Sequence, residues 1–408
     1  MNSFDAIYLD HSAATPMLPE AMETLRAAML ETGNPSSPHR FGHAARRRLE
    51  TERAAIGRLL GTNPDTDTLI FTSGGTESNN LAVRGIFLAR SGIAPSIPMT
   101  RRMLVSSAEH ASVLEPALAL IDPVAGESAA ELRTLPLTGD GMVDLTILQQ
   151  WCRRRTAMVA VQWVSHETGV IQPIEEIAAI CRARGVPLHI DAVAAAGKIP
   201  VDFGAVAQDG IVTMAVSGHK FGAPCGVGVL CIRGIFPMPI LYGGAQESAV
   251  RPGTEPASLI AAMRTALEIS TASLDANLEW VTQLRDRFES ELRRQVPGIV
   301  VIAADSPRSP YTTAVALPGR FGADDGENER ELLAPNAEEL VRRLDAVGVC
   351  CATGSACTSG SPEPSPTLRA MKLSDEIVRR TLRFSFSARQ TRDEIDSAVV
   401  RIASVRRS

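Results

Sequence analysis

The sequence lacks long apolar stretches. No run of about 18 apolar residues occurs, so no membrane-spanning helix is expected. It also lacks an excess of basic residues, because 41 Lys and Arg against 46 Asp and Glu give a formal net charge of −5. Nucleic acid is therefore not the expected partner. The first ten residues, MNSFDAIYLD, have no basic region followed by an apolar stretch, and they predict no signal peptide.

Cysteine is scarce and irregularly placed. Seven cysteines in 408 residues form no paired framework of the secreted type, which favours a reducing cytoplasm. Cys350, Cys351 and Cys357 lie close together, but no CxxC spacing occurs among them, so no metal site is expected. What remains is an ordinary globular composition, 45% apolar and 21% charged, with ample length for a large core.

Apolar segments typical of β-strands alternate with helical patterns through the first 235 residues. The predicted strands are Leu69–Phe71, Met103–Val105, Met158–Val164, Leu188–Ile190, Ile211–Val216 and Val227–Ile232. The predicted helices include Ser78–Ala89, Asp144–Arg155 and Ile174–Arg184. This alternation predicts βαβ units and a mostly parallel sheet.

After Gly253 the pattern changes to that of a smaller α+β domain. A helical stretch at Ser258–Arg294 is followed by shorter elements, predicted at Ile299–Ala303, Thr312–Leu317, Ala337–Ala346 and Leu382–Phe386. Two stretches are predicted as loops, the acidic Gly319–Pro335 and the Ser- and Pro-rich Thr358–Pro366.

Polar residues follow five of the predicted strands. They are Ser73-Gly74-Gly75-Thr76-Glu77, Glu109-His110, Ser165-His166-Glu167, Asp191 and Ser217-Gly218-His219-Lys220. Because ligands of open parallel sheets bind beyond the carboxyl ends of the strands, these groups predict one site.

Each group also has a structural explanation. The Gly-Gly-Thr turn can simply begin a helix, Asp191 can cap one, His110 can be a structural histidine, and Lys220 can be an ordinary loop lysine. Together they match pyridoxal phosphate. Its phosphate suits a helix N-terminus, its aldehyde needs an amine to form a Schiff base, and its pyridine nitrogen needs a carboxylate partner. We therefore expect Lys220 to hold the cofactor, Asp191 to face its ring nitrogen and His110 to stack on the ring.

An ordered set of motifs between residues 8 and 391 extends this interpretation. The motifs are YLDHSAATP, GNPSSPHRFG, FTSGGTESNN, AEH, ETGVIQPI, HIDAV, SGHK, GGAQE, RPGTE, GSACTSG and LRFSFSARQT. The chain resembles the pyridoxal-phosphate cysteine desulfurases of the nitrogen-fixation and iron–sulfur-assembly type, within the class-V aminotransferases. The resemblance implies fold type I, with a mostly parallel seven-stranded sheet in a large domain and a smaller α+β domain. It also implies a homodimer, with the large domain at residues 15–262 and the small domain formed by residues 1–14 and 263–408.

The resemblance also implies roles for single residues. Lys220, Asp191 and His110 keep the roles given above, and His110 would also carry the proton of the substrate thiol. Gly75, Thr76, Ser217 and His219 match phosphate-contacting positions, and Thr254 matches a threonine that reaches the phosphate of the neighbouring subunit. Arg383 and Asn34 match positions at the carboxylate end of the substrate.

Cys357 differs from the other cysteines because glycines flank it and prolines follow it, which predicts an exposed loop. A thiolate on such a loop is a suitable nucleophile. The resemblance implies that Cys357 takes sulfur from L-cysteine as a persulfide, leaves L-alanine, and passes the sulfur to an acceptor such as an iron–sulfur scaffold protein.

Two motifs depart from the family pattern, and the altered positions are expected near the cofactor's phenolic oxygen. Ser165 and His166 replace two asparagines, and Ala194 replaces a glutamine. The hypothesis is that His166 supplies part of the missing hydrogen bonding to the cofactor, since either ring nitrogen can donate. Two alternatives stay open: a selenocysteine lyase-like enzyme, and a cofactor-binding scaffold with little turnover.

Overall fold

The computed structural model describes residues 6–92, 102–121, 131–318, 335–354 and 365–405. Its strands are β1 Ile7–Tyr8, β2 Asp67–Thr72, β3 Arg102–Ser106, β4 Glu131–Leu135, β5 Thr156–Gln162, β6 Leu188–Asp191, β7 Val212–Ser217, β8 Gly228–Arg233, β9 Val300–Val301, β10 Thr312–Ala316, β11 Val349–Cys350, β12 Ala352–Thr353 and β13 Thr381–Ser385. Its α-helices are α1 Pro19–Met29, α2 Arg40–Leu59, α3 Gly75–Gly92, α4 Ala111–Leu118, α5 Leu145–Trp151, α6 Ile174–Arg184, α7 Phe203–Ala207, α8 Ala257–Ala272, α9 Leu274–Gln295, α10 Ala337–Ala346, α11 Pro366–Ala370, α12 Asp375–Arg379 and α13 Arg392–Ser404.

The main sheet has seven strands in the order β2-β8-β7-β6-β5-β3-β4. Only β8 runs antiparallel to its neighbours, so the other six strands point the same way. This confirms the predicted mostly parallel sheet. The strand missing from the sequence prediction is β4, which carries charged residues and is largely exposed at the sheet edge, so it shows no apolar run.

The structure refines two of the predicted helical stretches. The helical stretch predicted at Ser258–Arg294 consists of two helices, separated at Ser273, where the backbone leaves helical geometry. The break lets α8 pack on α1 and α2 while α9 packs on α13. The helix predicted at Asp144–Arg155 ends at Trp151, because Cys152 is extended and leads into β5. Asp144 caps its start by accepting hydrogen bonds from the Thr146 and Ile147 N–H groups.

A second, antiparallel sheet of four strands follows in the chain, in the order β12-β13-β10-β9. It shares a core with α9 and α13 in which Phe288, Phe384 and Phe386 pack together. The N-terminal strand β1 pairs in parallel with β11, and Leu9 lies in the same core.

Met263 and Leu267 on α8 instead belong to the core of the main sheet. The predicted domain division at residue 262 stays a prediction, and the packing of α8 favours a junction nearer Ser273.

A buried ion pair supports the strand that leads into the candidate site. Arg53 on α2 donates two hydrogen bonds to Glu247, at 2.6 and 2.8 Å, and a third to the Leu69 carbonyl at 2.8 Å. Glu247, whose side chain is 1% exposed, also accepts the Phe71 N–H at 2.7 Å. The pair therefore anchors β2 just before the turn that opens α3.

In the part of the chain that the structure describes, no helix combines the length and apolar character needed to span a membrane. The loop predicted at Gly319–Pro335 lies almost wholly outside the described residues. So does Thr358–Pro366, apart from Ser365 and Pro366 at the start of α11.

Candidate active site

The five polar groups predicted from the sequence lie at one edge of the main sheet. Strands β2, β3, β5, β6 and β7 are mutually parallel, because β8 is reversed relative to both β7 and β2. Their carboxyl ends therefore share an edge, which is the usual place for a ligand in this architecture.

Asp191 is the last residue of β6 and is held by a buried hydrogen-bond network. One carboxylate oxygen accepts the Val193 N–H at 2.9 Å, and the other accepts the Asn79 amide at 2.8 Å. Asn79 also donates to Ser112 Oγ at 2.8 Å, and its oxygen lies 3.0 Å from His189 Nε2. Burial raises the pKa of Asp191, while these hydrogen bonds and nearby positive groups lower it. A cationic N–H group facing the Asp191 carboxylate could donate a further hydrogen bond to it and balance its charge.

His110 lies at the start of α4, where its ring caps the helix. Its Nδ1 accepts the Ser112 N–H at 3.0 Å and lies 2.8 Å from Ser112 Oγ. A neutral ring held this way carries its hydrogen on Nε2. His166 lies beside it, with ring centroids 5.2 Å apart in an edge-to-face arrangement. The structure thus brings the two histidines into one site.

The N-terminus of α3 forms a cradle of the kind that binds phosphate. Its first residues, Gly75 and Thr76, carry N–H groups with no partner inside the helix. A Cβ added to Gly75 would lie 2.6 Å from Val193 Cγ2, so the close packing of this turn requires glycine. Ser217 Oγ, at the end of β7, lies 3.1 Å from His219 Nδ1. Burial, Lys220 and Lys198 lower the pKa of His219 to about 4, so its ring is neutral at pH 7.

Lys220 ends a short 3-10 turn that directly follows β7. Its Nζ donates hydrogen bonds to two backbone carbonyls, that of Ser12 at 2.6 Å and that of Ala13 at 3.0 Å. The amine therefore lies where the N-terminal segment crosses the edge of the main sheet. Since β6 and β7 are adjacent, Lys220 and Asp191 follow neighbouring strand ends.

Arg383 on β13 brings the second sheet to the same place. Its side chain is buried, donates to Asp10 Oδ1 at 2.7 Å, and donates to the His166 carbonyl at 3.1 Å. A buried guanidinium with further donors is suited to a carboxylate ligand.

Three predicted site residues are not joined to this cluster. Asn34 is exposed in the loop between α1 and α2, where its side chain accepts the Ser36 N–H at 2.8 Å. Thr254 is exposed in the segment before α8. Cys357 lies outside the described residues. Within the described ranges no cluster of metal-binding side chains occurs.

Sequence reasoning missed four residues that support the site. Asn79 and Gln162 orient Asp191 and His166, Asp10 pairs with Arg383, and Lys198 is buried nearby. Asn79 carried a usable signal, because it lies one helical turn after the Gly-Gly-Thr turn and faces the same way as the core positions of α3. The other three depend on contacts between distant segments.

The chain belongs to the aminotransferase class-V family, which it matches over residues 7–398. It is 37% identical over 395 residues to an IscS-like cysteine desulfurase of Mycobacterium tuberculosis, covering 96% of this chain and 94% of the relative. It is 33% identical to a cysteine desulfurase IscS of Dictyoglomus turgidum, covering 96% and 92%.

Solved structures agree with these relatives. A NifS-like protein from Rickettsia africae superimposes with a TM-score of 0.82 at 25% identity, covering 99% of this chain and all of that one. DndA from Streptomyces lividans is 31% identical with a TM-score of 0.70, covering 93% and 99%. The predicted family and fold class are confirmed.

Proposed function

We propose that the protein is a pyridoxal-phosphate-dependent cysteine desulfurase that converts L-cysteine to L-alanine and transfers the sulfur to Cys357. The observation that carries the proposal is the placement of Lys220 and Asp191 at the ends of two adjacent parallel strands. Relatives that match this chain over nearly its full length are named cysteine desulfurases.

The residues present fit the cofactor. The N–H groups of Gly75 and Thr76, with Ser217 and His219, would hold the phosphate, and the buried Asp191 would pair with the ring nitrogen. Lys220 would attach covalently, and His110 would stack on the ring. When bound, the cofactor supplies an electron sink for the substrate carbanion.

The side chains divide the remaining work. Arg383 would bind the substrate carboxylate, and Lys220 would remove the Cα proton, acting as a general base. His110 would exchange a proton with the substrate through Nε2. Cys357 would take the sulfur as a persulfide and pass it to an acceptor protein, for which an iron–sulfur scaffold is the leading candidate.

A homodimer is part of this proposal. Thr254 and Asn34 are exposed in the single chain, and each would complete a site across the dimer interface. Tyr242, 87% exposed, and Leu241 lie in the same segment as Thr254 and would become buried on association. A cytoplasmic location is also proposed, because the six cysteines of the described residues are all unpaired.

The test starts from protein purified with vitamin B6 supplied. Borohydride reduction followed by peptide mapping should find the pyridoxyl group on Lys220 and not on Lys198. With L-cysteine and a reductant, the wild type should release equal amounts of alanine and sulfide. Cys357→Ser should abolish release, and Cys225→Ser, which removes an exposed cysteine, should not.

Three results would overturn the proposal. An unmodified peptide at Lys220 would exclude the cofactor assignment. A modified Lys220 without alanine formation would favour a scaffold role, and a strong preference for L-selenocysteine would favour a lyase.

A further inference from the structure

Gln162, the last residue of β5, has a side-chain amide whose orientation is determined by its neighbours. Its Nε2 donates to the Ala108 carbonyl, which can only accept. Its Oε1 therefore points the other way, toward His166, and accepts the His166 backbone N–H at 3.3 Å. The main-chain N–H of Gln162 donates to Glu109 Oε1 at 2.7 Å, which holds the residue in place from a third side.

This orientation determines where the hydrogen of His166 lies. The Nδ1 atom of His166 is 3.0 Å from Gln162 Oε1, and that oxygen can only accept. Nδ1 must therefore carry a hydrogen, and in a neutral ring Nε2 carries a lone pair. His166 thus cannot donate to the cofactor's phenolic oxygen unless it becomes doubly protonated.

Before substrate binds, double protonation of His166 is disfavoured by the surroundings. Burial lowers the pKa of His166 well below its usual range, and His110 on α4, Arg383 on β13 and Lys220 after β7 lower it further. Among the described residues, Glu167 is the acidic group within ion-pair distance of the ring, with its Oε1 3.9 Å from His166 Nε2. That carboxylate already accepts hydrogen bonds from Ser365 and Thr367, at 2.6 and 2.7 Å.

The Nε2 atoms of His110 and His166 therefore have opposite hydrogen-bonding roles. His110, with Nδ1 occupied by the Ser112 N–H, presents a hydrogen on Nε2, whereas His166 presents a lone pair on Nε2. A substrate entering between Lys220 and Arg383 meets one donor and one acceptor. The proton work assigned to His110 alone is better divided between the two rings.

We propose that His166 Nε2 accepts the thiol proton of L-cysteine, with Gln162 as the positioning residue that keeps this nitrogen unprotonated. The S–H bond breaks and its electron pair stays on sulfur, an N–H bond forms at Nε2, and the other ring hydrogen stays on Nδ1, donated to Gln162 Oε1. His166 becomes a cation and the substrate sulfur an anion, so the net charge is unchanged and no electrons are gained or lost. The resulting thiolate lies beside the charged His166 ring, Lys220 and Arg383, and its negative charge offsets the positive charges that disfavour protonation of His166 before substrate binds. Arg383 also donates to the His166 carbonyl. This inference rests on the proposed desulfurase function for its substrate, but not for its tautomer.

The tautomer is measured first, by imidazole ¹⁵N NMR on the protein as purified with vitamin B6 supplied. The His166 signal is assigned by its loss in His166→Asn. We expect Nδ1–H with an unprotonated Nε2, and no titration near the ordinary histidine pKa of about 6.5. A hydrogen on Nε2, or titration near that value, overturns the proposal whether or not the protein is a desulfurase. In Gln162→Leu the tautomer should become mixed, but the wild-type measurement decides the matter by itself.

The catalytic role is measured with two substrates. L-Selenocysteine carries a selenol that is already ionised at neutral pH and needs no proton acceptor. His166→Asn should lower kcat/KM for L-cysteine by about 10²-fold near neutral pH, and for L-selenocysteine by less than about threefold. The loss with L-cysteine should shrink above the thiol pKa of about 8.5, where the substrate ionises unaided. Equal losses with both substrates, or a loss independent of pH, would show a merely structural role and refute the proposal.

Discussion

Replacing Asn79 by Ala should destabilise the protein far more than the same change at the next residue. Asn79 on α3 is fully buried and links three elements by its amide. It donates to Asp191 and to Ser112, both at 2.8 Å, and it accepts from His189 at 3.0 Å. The alanine variant leaves all three partners, which are themselves buried, without this hydrogen bond.

The expected loss follows from the kinds of hydrogen bond removed. A bond to a charged group contributes about 1.5–3 kcal/mol, and each neutral bond about 0.5–1.5 kcal/mol. The free energy of unfolding should therefore fall by about 2.5–6 kcal/mol, a large part of the usual stability of a folded protein. The loss of the amide should also raise the pKa of Asp191, because its hydrogen bond favours the ionised form.

Urea unfolding at one fixed protein concentration measures the difference, with Asn80→Ala as the matched control. Asn80 is only half-buried and donates to Thr76 of its own helix at 2.9 Å. Its replacement should change stability by no more than about 1 kcal/mol, since alanine favours the helix. If Asn79→Ala and Asn80→Ala lie within about 1 kcal/mol of each other, the argument that this network holds the site together is wrong.

Two further predictions concern buried charges. Arg53→Ala leaves Glu247 buried without its guanidinium and should lower the free energy of unfolding by about 3–5 kcal/mol, whereas Arg26→Ala, in an exposed pair with Glu23, should leave the urea midpoint unchanged. Equal urea midpoints for Arg53→Ala and Arg26→Ala would contradict this. The second prediction concerns Lys198, which is 6% exposed. Burial, together with Lys220 and Arg383, lowers the pKa of Lys198 to about 7. Between that value and the unfolded value of 10.5 the unfolded chain binds more protons, so stability should rise with pH, by about 2 kcal/mol from about pH 7 to pH 9. Lys198→Met should remove this rise, and an unchanged slope in that variant would refute the assignment.

The sequence by itself determined the class of fold and predicted most residues of the candidate site. Alternating apolar strands and helices required a mostly parallel sheet, and in such a sheet the residues that follow the strands must meet at one edge. Asp191, His110, His166 and Lys220 could therefore be assigned to a common site before any contact was known. The helices α6 and α10 were also predicted with their observed bounds, because each combines a clear apolar periodicity with a definite end.

Only the tertiary structure decided what surrounds those residues. That β8 runs between β2 and β7, that Ser273 divides a long helical stretch, and that Asp10 pairs with Arg383 depend on segments far apart in the chain. The same holds for the tautomer of His166. The sequence allows a hydrogen on either ring nitrogen. Gln162 selects Nδ1, because the Ala108 carbonyl after β3 orients the Gln162 amide. Local periodicity reports which face of an element is apolar, whereas the direction of a hydrogen bond is set by partners that only packing brings together.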